Sequence, residues 1–245
     1  MREIRVYIVS ALCSDTQIEV GDQVAQHVTR VLRLRPGAVL TAFDGRGGEY
    51  AAQLLAIGKR SVTLGIGMHR PIERESHLEI TLLQGMARGE RMDFIIQKAT
   101  ELGVRRIVPL VTARSVVQLE EERSQKRLEH WRAVAAAACE QSGRNRLPDI
   151  DHPRPLVEAL SATSADQLCC VLAPQATHTL HDTIGSDCRR VAVLIGPEGG
   201  LDETEIAQAV TQGFRGVRLG PRILRTETAA LTALAVLQSA AGDLR

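Results

Sequence analysis

The chain is short of aromatic residues: Phe, Trp and Tyr make up only 2% of its 245 residues. This scarcity argues against an RNA-binding platform of the RRM or single-strand-binding type, in which several aromatic rings stack on successive bases. No stretch approaches the ~20 apolar residues that a membrane-spanning helix needs. The first residues, Met-Arg-Glu-Ile-Arg, also lack the apolar core of a signal peptide. We therefore expect a cytoplasmic protein with no membrane partner.

Cysteine patterns typical of metal or redox sites are missing as well. The five cysteines include no C-x-x-C pair, and we interpret them as reduced, mostly buried thiols. His178, His181 and Cys188 fit no common zinc spacing, so we predict no metal site.

Two similar segments near the end of the chain are its most informative feature. Residues 191–201 (VAVLIGPEGGL) and 219–229 (LGPRILRTETA) both contain a Gly-Pro turn close to a predicted strand and the start of a helix. The first turn is not the G-x-G-x-x-G dinucleotide motif, and the chain has no Gly-Lys-Ser/Thr phosphate loop. Glycines nevertheless allow a ligand to approach main-chain N–H groups closely. Because ligands of α/β sheets bind beyond the carboxyl ends of strands, we predict one ligand site built from both turns.

Charged residues accompany both turns. Glu198 lies inside the first, and Arg225 and Glu227 lie at the start of the predicted last helix. Glu198 would stabilise the following helix N-terminus in a purely structural role, and Arg225 would pair with Glu227. A catalytic role for all three is the alternative, and the residues alone leave both open.

The hydrophobic pattern divides the chain into two parts. Strand-like runs at 5–9, 38–43, 49–57 and 61–65, with a helix over 22–34, predict a small β-barrel. The polar segment 68–77 is the best linker candidate. Beyond it, predicted strands at 78–83, 106–111, 167–172, 191–195 and 217–219 alternate with helices, which indicates a mostly parallel sheet covered on both faces.

Three features of the predicted helices can be checked directly. A long helix is expected over 120–141, and Asp202 with Glu205 fits a capping box. The last helix, from Thr226 to about Ala240, is apolar almost all round, which predicts burial on every side, in the core or in a subunit interface.

Positive charge is concentrated towards the start of the chain. Residues 1–70 hold nine Lys/Arg and six Asp/Glu, a net charge of +3, whereas the rest has a net charge of −2. This imbalance favours an anionic partner for the first part. The loop 142–146 (SGRNR) is also suited to phosphate, because a guanidinium matches two oxygens. A solvated surface is the alternative for each arginine.

Taken together, these motifs resemble the RsmE family, methyltransferases that modify a uridine at N3 in small-subunit (16S) ribosomal RNA. The segments that carry the resemblance are 26–33 (QHVTRVLR), 43–47 (FDGRG), 97–103 (QKATELG), 140–144 (EQSGR), 195–200 (IGPEGG) and 219–229. Leu201 and Asp202 depart from it, since an aromatic residue and a serine are common there.

The resemblance implies a PUA-like RNA-binding β-barrel over residues 1–70 and a SPOUT methyltransferase domain over 71–245. The second domain would form a mostly parallel sheet with a C-terminal trefoil knot and a homodimer. The implied cofactor is S-adenosylmethionine, and the implied partner is 16S rRNA or the small ribosomal subunit. The cofactor contacts implied by position are Leu172, Ile195, Gly196, Pro197, Gly200, Leu219, Ile223, Leu224 and Thr226.

Within that framework we assign roles to the charged residues. Methyl transfer to N3 needs a group that stabilises charge on the uracil, for which we choose Arg225, and a base, for which we choose Glu198 or Glu227. Two rivals are a non-enzymatic RNA-binding or ribosome-assembly factor and a nucleotide-binding α/β enzyme. The residues predicted to bind RNA are Arg30, Arg33, Arg35, Arg114, Arg144 and Arg146.

Overall fold

The computed structural model describes residues 4–115, 121–163 and 166–244. The chain forms two compact units, one of Met1–Glu75 with Ala136–Leu147 and one of Ser76–Ala135 with Pro148–Arg245. This division differs from the expected boundary between residues 70 and 71. Residues 71–75 and 136–147 cluster with the first unit, because a buried polar network described below connects them to its strands.

A five-stranded sheet organises the first unit. Its strands are β1 (Arg5–Tyr7), β2 (Thr16–Val20), β3 (Val39–Phe43), β4 (Glu49–Ile57) and β5 (Val62–Arg70). They follow the order β1-β3-β4-β5-β2, in which β1 and β3 are parallel and the other neighbours antiparallel. In the described residues β1 and β2 are the end strands, so the backbone ladder is an open sheet rather than the closed ring that the predicted barrel implies.

Two details of this sheet differ from the sequence prediction. The sequence does not predict β2, because only Ile18 and Val20 of its five residues are apolar. Strand β5 continues to Arg70, past the expected end at Gly65. The predicted linker over 68–77 is therefore wrong for its first three residues, which belong to β5; His69 and Arg70 pair with Tyr50 and Glu49 of β4.

The predicted helix over 22–34 is shorter and changes type. Helix α1 (Asp22–Gln26) continues as a π-helical turn, His27–Val31. Arg33 then adopts φ = 54°, a conformation that non-glycine residues rarely take. Val28 is buried, but Val31, expected on the same apolar face, is 68% exposed. The wider π turn rotates Val31 away from the core and places Arg30 and Arg33 on the surface.

A parallel sheet with helices forms the second unit. Its eight strands are β6 (Glu79–Gly85), β7 (Arg106–Val111), β8 (Asp149–Ile150), β9 (Arg154–Pro155), β10 (Leu168–Leu172), β11 (His178–Thr179), β12 (Arg190–Ile195) and β13 (Arg215–Arg218). The order is β11-β13-β10-β12-β6-β7-β8, with β9 also on β7, and the pairs are parallel. The remaining helices are α2 (Glu90–Glu101), α3 (Glu121–Ser142), α4 (Leu156–Ser161), α5 (Leu180–Thr183), α6 (Glu203–Thr211) and α7 (Thr226–Ala241).

The central strand β12 shows how this sheet is covered on both faces, as predicted. Val191 and Val193 pack with residues of α2 and α7, whereas Ala192 and Leu194 pack with residues of α4 and α6. Alternate side chains of a strand point to opposite faces, so a sheet between two helical layers needs a continuous apolar run. Each of these four side chains is fully buried.

The helix predictions have mixed outcomes. The capping box is confirmed: Asp202 accepts from the Glu205 N–H at 2.7 Å, and Glu205 accepts from the Asp202 N–H at 2.9 Å. Helix α3 is observed from Glu121, and residue 120 lies outside the described part. Burial of α7 on every side is wrong for this chain alone. Ala233 and Leu234 are buried, but Leu231 and Ala235 are half-buried, because α2, α5 and the strands β6 and β12 together cover the helix only in part.

A buried polar network closes the loop 142–146 onto the first unit. The Arg5 guanidinium donates to Glu49 at 2.6 Å and to the Asn145 side chain, and Asn145 donates to the Ile72 carbonyl at 2.6 Å. Arg144 donates to both carboxylate oxygens of Glu75, at 3.0 and 2.6 Å. Glu49 and Asn145 are at most 1% exposed. The network explains why 71–75 and 136–147 fold with the strands that precede them.

The described ranges contain neither a membrane-spanning helix nor a metal-binding cluster. None of the helices seen there has the length and apolar character to cross a bilayer. Over the same ranges, no cluster of three His, Cys, Asp or Glu side chains is arranged to hold a metal.

Candidate functional site

A cavity of about 360 Å³ lies beyond the carboxyl ends of β10, β12 and β13. This is the edge at which ligands of parallel α/β sheets bind, and the volume is in the range of small-molecule sites, about 300–1,000 Å³. The nine residues expected to contact a cofactor all line it, namely Leu172, Ile195, Gly196, Pro197, Gly200, Leu219, Ile223, Leu224 and Thr226. The two glycine turns thus meet at one cavity.

The first turn requires glycine for two different reasons. At Gly196 a Cβ atom would lie 2.6 Å from the Leu201 nitrogen, so the backbone folds back on itself more tightly than any side chain permits. At Gly200 the backbone has φ = 70°, and a Cβ would meet open space. The tight turn and the open side together expose main chain to the cavity.

A buried hydrogen-bond network joins the first turn to the start of α7. The Thr226 hydroxyl donates to the Gly196 carbonyl at 2.7 Å. The Gln84 amide donates to the Thr226 hydroxyl at 3.0 Å and lies 3.4 Å from the Gly196 carbonyl. Each hydrogen bond of this kind stabilises the fold by about 1 kcal/mol. We did not predict Gln84, although a polar residue directly after the apolar run 78–83 and before Gly85 is a signal for such a role.

Arg114 contacts the other side of the first turn. Its Nη1 donates to the Gly199 carbonyl at 2.7 Å, and its side chain lines the cavity. The neighbouring Ala113 N–H donates to Glu205 of α6 at 2.8 Å. Arg114, predicted to bind RNA, is therefore exposed but already engaged with the turn by one of its donors.

Glu198 lines the cavity, but its carboxylate is occupied. Oε1 accepts from the Arg88 N–H at 2.9 Å and from Arg91 at 2.8 Å. Burial alone would raise the pKa of Glu198, but these donors and the charge of Arg91 outweigh burial and lower the pKa below its ordinary value. A carboxylate stabilised in this way is a weak proton acceptor. The geometry favours a positioning role, in which Glu198 holds the first turn to the segment before α2.

Arg225 and Glu227 lie next to the cavity rather than in its lining. Arg225 is exposed and immediately precedes α7. Glu227 has a buried Oε2 that receives no hydrogen bond from the described residues. The structural alternative, an ion pair between these two side chains, is not formed within those residues. Neither side chain therefore has a charged partner among the described residues.

The arginines predicted to bind RNA fall into two groups. Arg30, Arg33 and Arg35 are exposed on the first unit. Arg146 is 42% exposed at its side chain and lies 3.3 Å from Glu73. Arg144 is only 3% exposed and is bound by Glu75 in a bidentate pair. Because a phosphate would have to displace Glu75, the structure argues against Arg144 as an RNA contact.

Comparison with known proteins gives a consistent result. Residues 74–238 match the RNA methyltransferase domain family, and residues 20–67 match the RNA methyltransferase PUA domain. A protein of Legionella pneumophila, solved in complex with the bound cofactor SAM, is 39% identical with a TM-score of 0.95 over 100% of both chains. A ribosomal RNA small subunit methyltransferase E of Neisseria gonorrhoeae, bound to S-adenosyl methionine, is 36% identical with a TM-score of 0.91 over 100% of both.

A curated relative extends the likeness beyond solved structures. The ribosomal RNA small subunit methyltransferase E of Buchnera aphidicola (Schizaphis graminum) is 32% identical over 98% of this chain and 97% of the relative. A parallel α/β sheet with a cavity at its strand ends, on a chain that also matches a PUA domain, defines the class of RNA methyltransferases. Within that class, the chain belongs to the RsmE family.

Proposed function

We propose that this protein transfers a methyl group from S-adenosylmethionine to N3 of a uridine in small-subunit (16S) ribosomal RNA. One observation carries the proposal: all nine residues at the expected cofactor positions line a single cavity of about 360 Å³. The relatives named above add support, because two of them were solved with this cofactor and two are named as ribosomal RNA methyltransferases.

The cavity has the surfaces that such a cofactor needs. Leu172, Ile195 and Leu219 offer apolar contact, and Ile223 is 85% exposed while lining the cavity, so a bound ligand would cover it. The main chain of the glycine turns offers polar groups. When bound, S-adenosylmethionine supplies a methyl group on a positively charged sulfur. The roles of these residues are to hold the cofactor and exclude water.

The charged residues beside the cavity would serve the acceptor. N3 lies on the Watson–Crick edge, so the uridine must be unpaired or flipped out. Glu227 accepts the N3 proton, since the pKa of Glu198 is lowered by its partners. N3 then forms the bond to the methyl carbon, and the carbon–sulfur bond breaks with its electron pair remaining on sulfur. Arg225 stabilises the negative charge that spreads onto O2 and O4.

We further propose that Arg30, Arg33, Arg35, Arg114 and Arg146 contact RNA phosphates. The first three are exposed and close together in sequence. The PUA match over 20–67 supports an RNA-binding role for their segment. Arg33 has a strained backbone, φ = 54°, and such strain occurs most often at functional positions.

Three finer features belong to the same proposal. A trefoil knot is supported by α7, which leaves the cavity formed by both turns and packs back on α2, β6 and β12. A homodimer is supported by the half-buried apolar residues Leu231 and Ala235 on α7, which a second copy would cover. An enzyme of ribosomal RNA would act in the cytoplasm, on free 16S rRNA or on the small subunit.

The test combines a binding measurement with a chemical one. Calorimetry of the purified protein with S-adenosylmethionine should show one site per chain. Mass spectrometry of ribosomal RNA from cells lacking the protein should show one 16S uridine without its N3 methyl group, and the purified protein should restore it. Cofactor binding without any transfer to RNA would refute the proposed reaction. No cofactor binding would favour a non-enzymatic RNA-binding factor.

A further inference from the structure

A second concavity, of about 520 Å³, lies between α2, α3 and the start of α7. We call it the α2–α7 groove. Its lining residues are Glu90, Arg91, Asp93, Phe94 and Gln97 on α2, Val134 on α3 and Glu227 on α7. The groove is distinct from the cofactor cavity, whose lining contains none of these residues.

The groove and the cavity are nevertheless immediate neighbours. Thr226 lines the cavity, and the next residue, Glu227, lines the groove. Glu198 of the cavity and Arg91 of the groove form an ion pair at 2.8 Å. A molecule in the groove would therefore be separated from a cofactor in the cavity only by the first turn of α7 and this ion pair. Such proximity is what direct group transfer between two ligands requires.

Phe94 gives the groove an exposed aromatic surface. The chain has six Phe, Tyr and Trp residues, all in the described part, and Phe94 alone among them is exposed, at 44%. The other five are buried or half-buried. Aromatic rings on protein surfaces stack well on nucleic-acid bases. The scarcity of aromatic residues excludes a platform for several bases, but a methyltransferase that modifies one nucleotide needs to hold only one.

The polar groups of the groove differ in whether they are already engaged. Arg91 is paired with Glu198, and Asp93 Oδ2 lies 2.7 Å from His130 Nε2. Gln97, one turn after Phe94 on the same helix, and Oε2 of Glu227 make no hydrogen bond with other described side chains. Because the Glu227 side chain lines the groove and accepts from no donor in the described residues, a ligand that brings an N–H group would find a carboxylate acceptor there.

A uracil base has the complementary edge. Its N3–H is a donor that lies between two carbonyl acceptors. The Gln97 amide can donate to one of these carbonyls, and the Glu227 carboxylate can accept the N3–H. The volume exceeds that of a base and leaves room for the attached ribose. Gln97 also opens the motif 97–103, which the cofactor cavity does not use.

We propose that the α2–α7 groove receives the flipped-out target uridine, with its base stacked on Phe94 and its Watson–Crick edge facing Gln97 and Glu227. This inference rests on the proposed methyltransferase function and specifies where its RNA substrate enters. The rival occupant is a second copy of the chain, for which the groove would be part of a subunit interface. The two occupants make different predictions for the same variants.

The experiment compares Phe94→Ala and Gln97→Ala with Phe94→Tyr, which keeps the ring, and with Val210→Ala. Val210 is a matched control, because it is an apolar residue on α6 of the same unit that is 51% exposed and outside both concavities. Each protein is assayed for methyl transfer to 16S rRNA from cells lacking the protein, for S-adenosylmethionine affinity by calorimetry, and for mass by sedimentation.

Loss of one base-stacking contact should lower kcat/KM for RNA by roughly 5- to 150-fold in Phe94→Ala. Gln97→Ala should also be slower, whereas Phe94→Tyr and Val210→Ala should stay near wild type. Cofactor affinity and sedimentation mass should be unchanged in all four. This pattern supports the groove as the uridine site.

Two outcomes would overturn the inference and leave the proposed function intact. One is wild-type kcat/KM in both Phe94→Ala and Gln97→Ala. The other is a loss of activity that accompanies a fall in sedimentation mass, which would assign the groove to a subunit interface. Failure of the proposed function itself has a different signature, because the wild-type protein would then transfer no methyl group to RNA.

Discussion

The turn 196–200 and the loop 142–146 both follow a regular element, and both look like binding loops in the sequence. The structure separates them. The first turn faces the cavity of about 360 Å³, with open space beside Gly200. Arg225, which follows the lining residue Leu224, has no side-chain partner among the described residues. In the loop, Arg144 and Asn145 are buried and bound to Glu75 and Glu49. A glycine turn at a strand end therefore indicated a cavity, whereas the arginine-containing loop is held by buried hydrogen bonds and an ion pair.

The largest expected effect concerns Arg225, whose charge has no partner in the described residues. A single donor directed at developing negative charge contributes roughly 100- to 1,000-fold to kcat. We expect Arg225→Ala to lose that much in methyl transfer. The unfolding curve should not change, because the exposed side chain makes no hydrogen bond or ion pair with the described residues. Single-turnover assays with saturating S-adenosylmethionine measure the effect.

The control for Arg225 is Arg132→Ala, an exposed arginine on α3. It should leave turnover at the wild-type level. Cofactor affinity measured by calorimetry should be similar in both variants and the wild type. If Arg225→Ala turned over normally, the charge beside the glycine turns would have no catalytic role. The turn 196–200 and the loop 142–146 would then differ in structure but not in their contribution to catalysis.

The second prediction is that Arg144, unlike Arg225, contributes to stability and not to activity. Removing one partner of a buried ion pair leaves the other charge unpaired, and because Glu75 is 20% exposed we expect a loss of about 2–3 kcal/mol in unfolding free energy for Arg144→Ala. Arg146→Ala, in the same loop but on the surface, should cost under about 1 kcal/mol. Urea titrations followed by circular dichroism give both values.

Activity measurements complete the test of Arg144. The folded fraction of Arg144→Ala should methylate RNA with wild-type kcat/KM and the wild-type salt dependence. Normal stability combined with weaker RNA binding would show that Arg144 contacts phosphate after all, and the distinction between the loops would then be wrong.

Features that depend on local sequence were predicted correctly. Apolar runs of five or six residues between helices identified the parallel sheet, since a strand covered on both faces has no polar positions. The Gly-Pro turns identified the cavity, because their conformational requirements are local. The capping box of Asp202 and Glu205 was equally local and equally correct.

The failures involve partners distant in sequence. Arg5, Glu49 and Asn145 are separated by up to 140 residues, and no spacing rule connects them. The sequence left Glu198 open between a structural role and a base, because its partner Arg91 lies 107 residues earlier. The sequence predicted burial for the outward face of α7 because its residues are apolar. Composition does not tell whether this chain or a second copy covers such a face.

The third prediction concerns the loss of stability at acid pH that Glu49 should cause. Burial alone would raise the pKa of Glu49, but hydrogen bonds from Arg5 and Asn145 and the charges of Arg5 and Arg70 lower the pKa below its ordinary value. A lowered folded-state pKa stabilises the protein above the unfolded-state value of about 4.3, and this stabilisation is lost as the pH falls through the folded-state pKa.

The variant Glu49→Gln isolates this contribution. At neutral pH it should be less stable than wild type by about 1–2 kcal/mol, because Arg5 loses its charged partner. This difference in unfolding free energy between the variant and wild type should narrow as the pH falls below about 4, where the wild-type carboxylate takes up a proton. Glu73→Gln, at a 37% exposed side chain, is the control and should show little gap at any pH. A gap that stays constant with pH would mean that Glu49 is not the titrating group.

The smallest expected effect is at Arg33. It tests whether the exposed arginines of the first unit contact RNA phosphates, which Arg144 is not expected to do. Alanine has the same difficulty as arginine at φ = 54°, so Arg33→Ala removes the charge without changing the backbone cost. One lost phosphate contact should reduce the slope of log affinity against log salt by about 0.7–0.9. Filter binding of 16S rRNA at several salt concentrations measures that slope. A reduced slope for Arg33→Ala with an unchanged slope for Arg144→Ala would place the RNA contacts on the strained segment after α1. The reverse result would assign them to the loop 142–146, and the buried ion pair would then have to open whenever RNA binds.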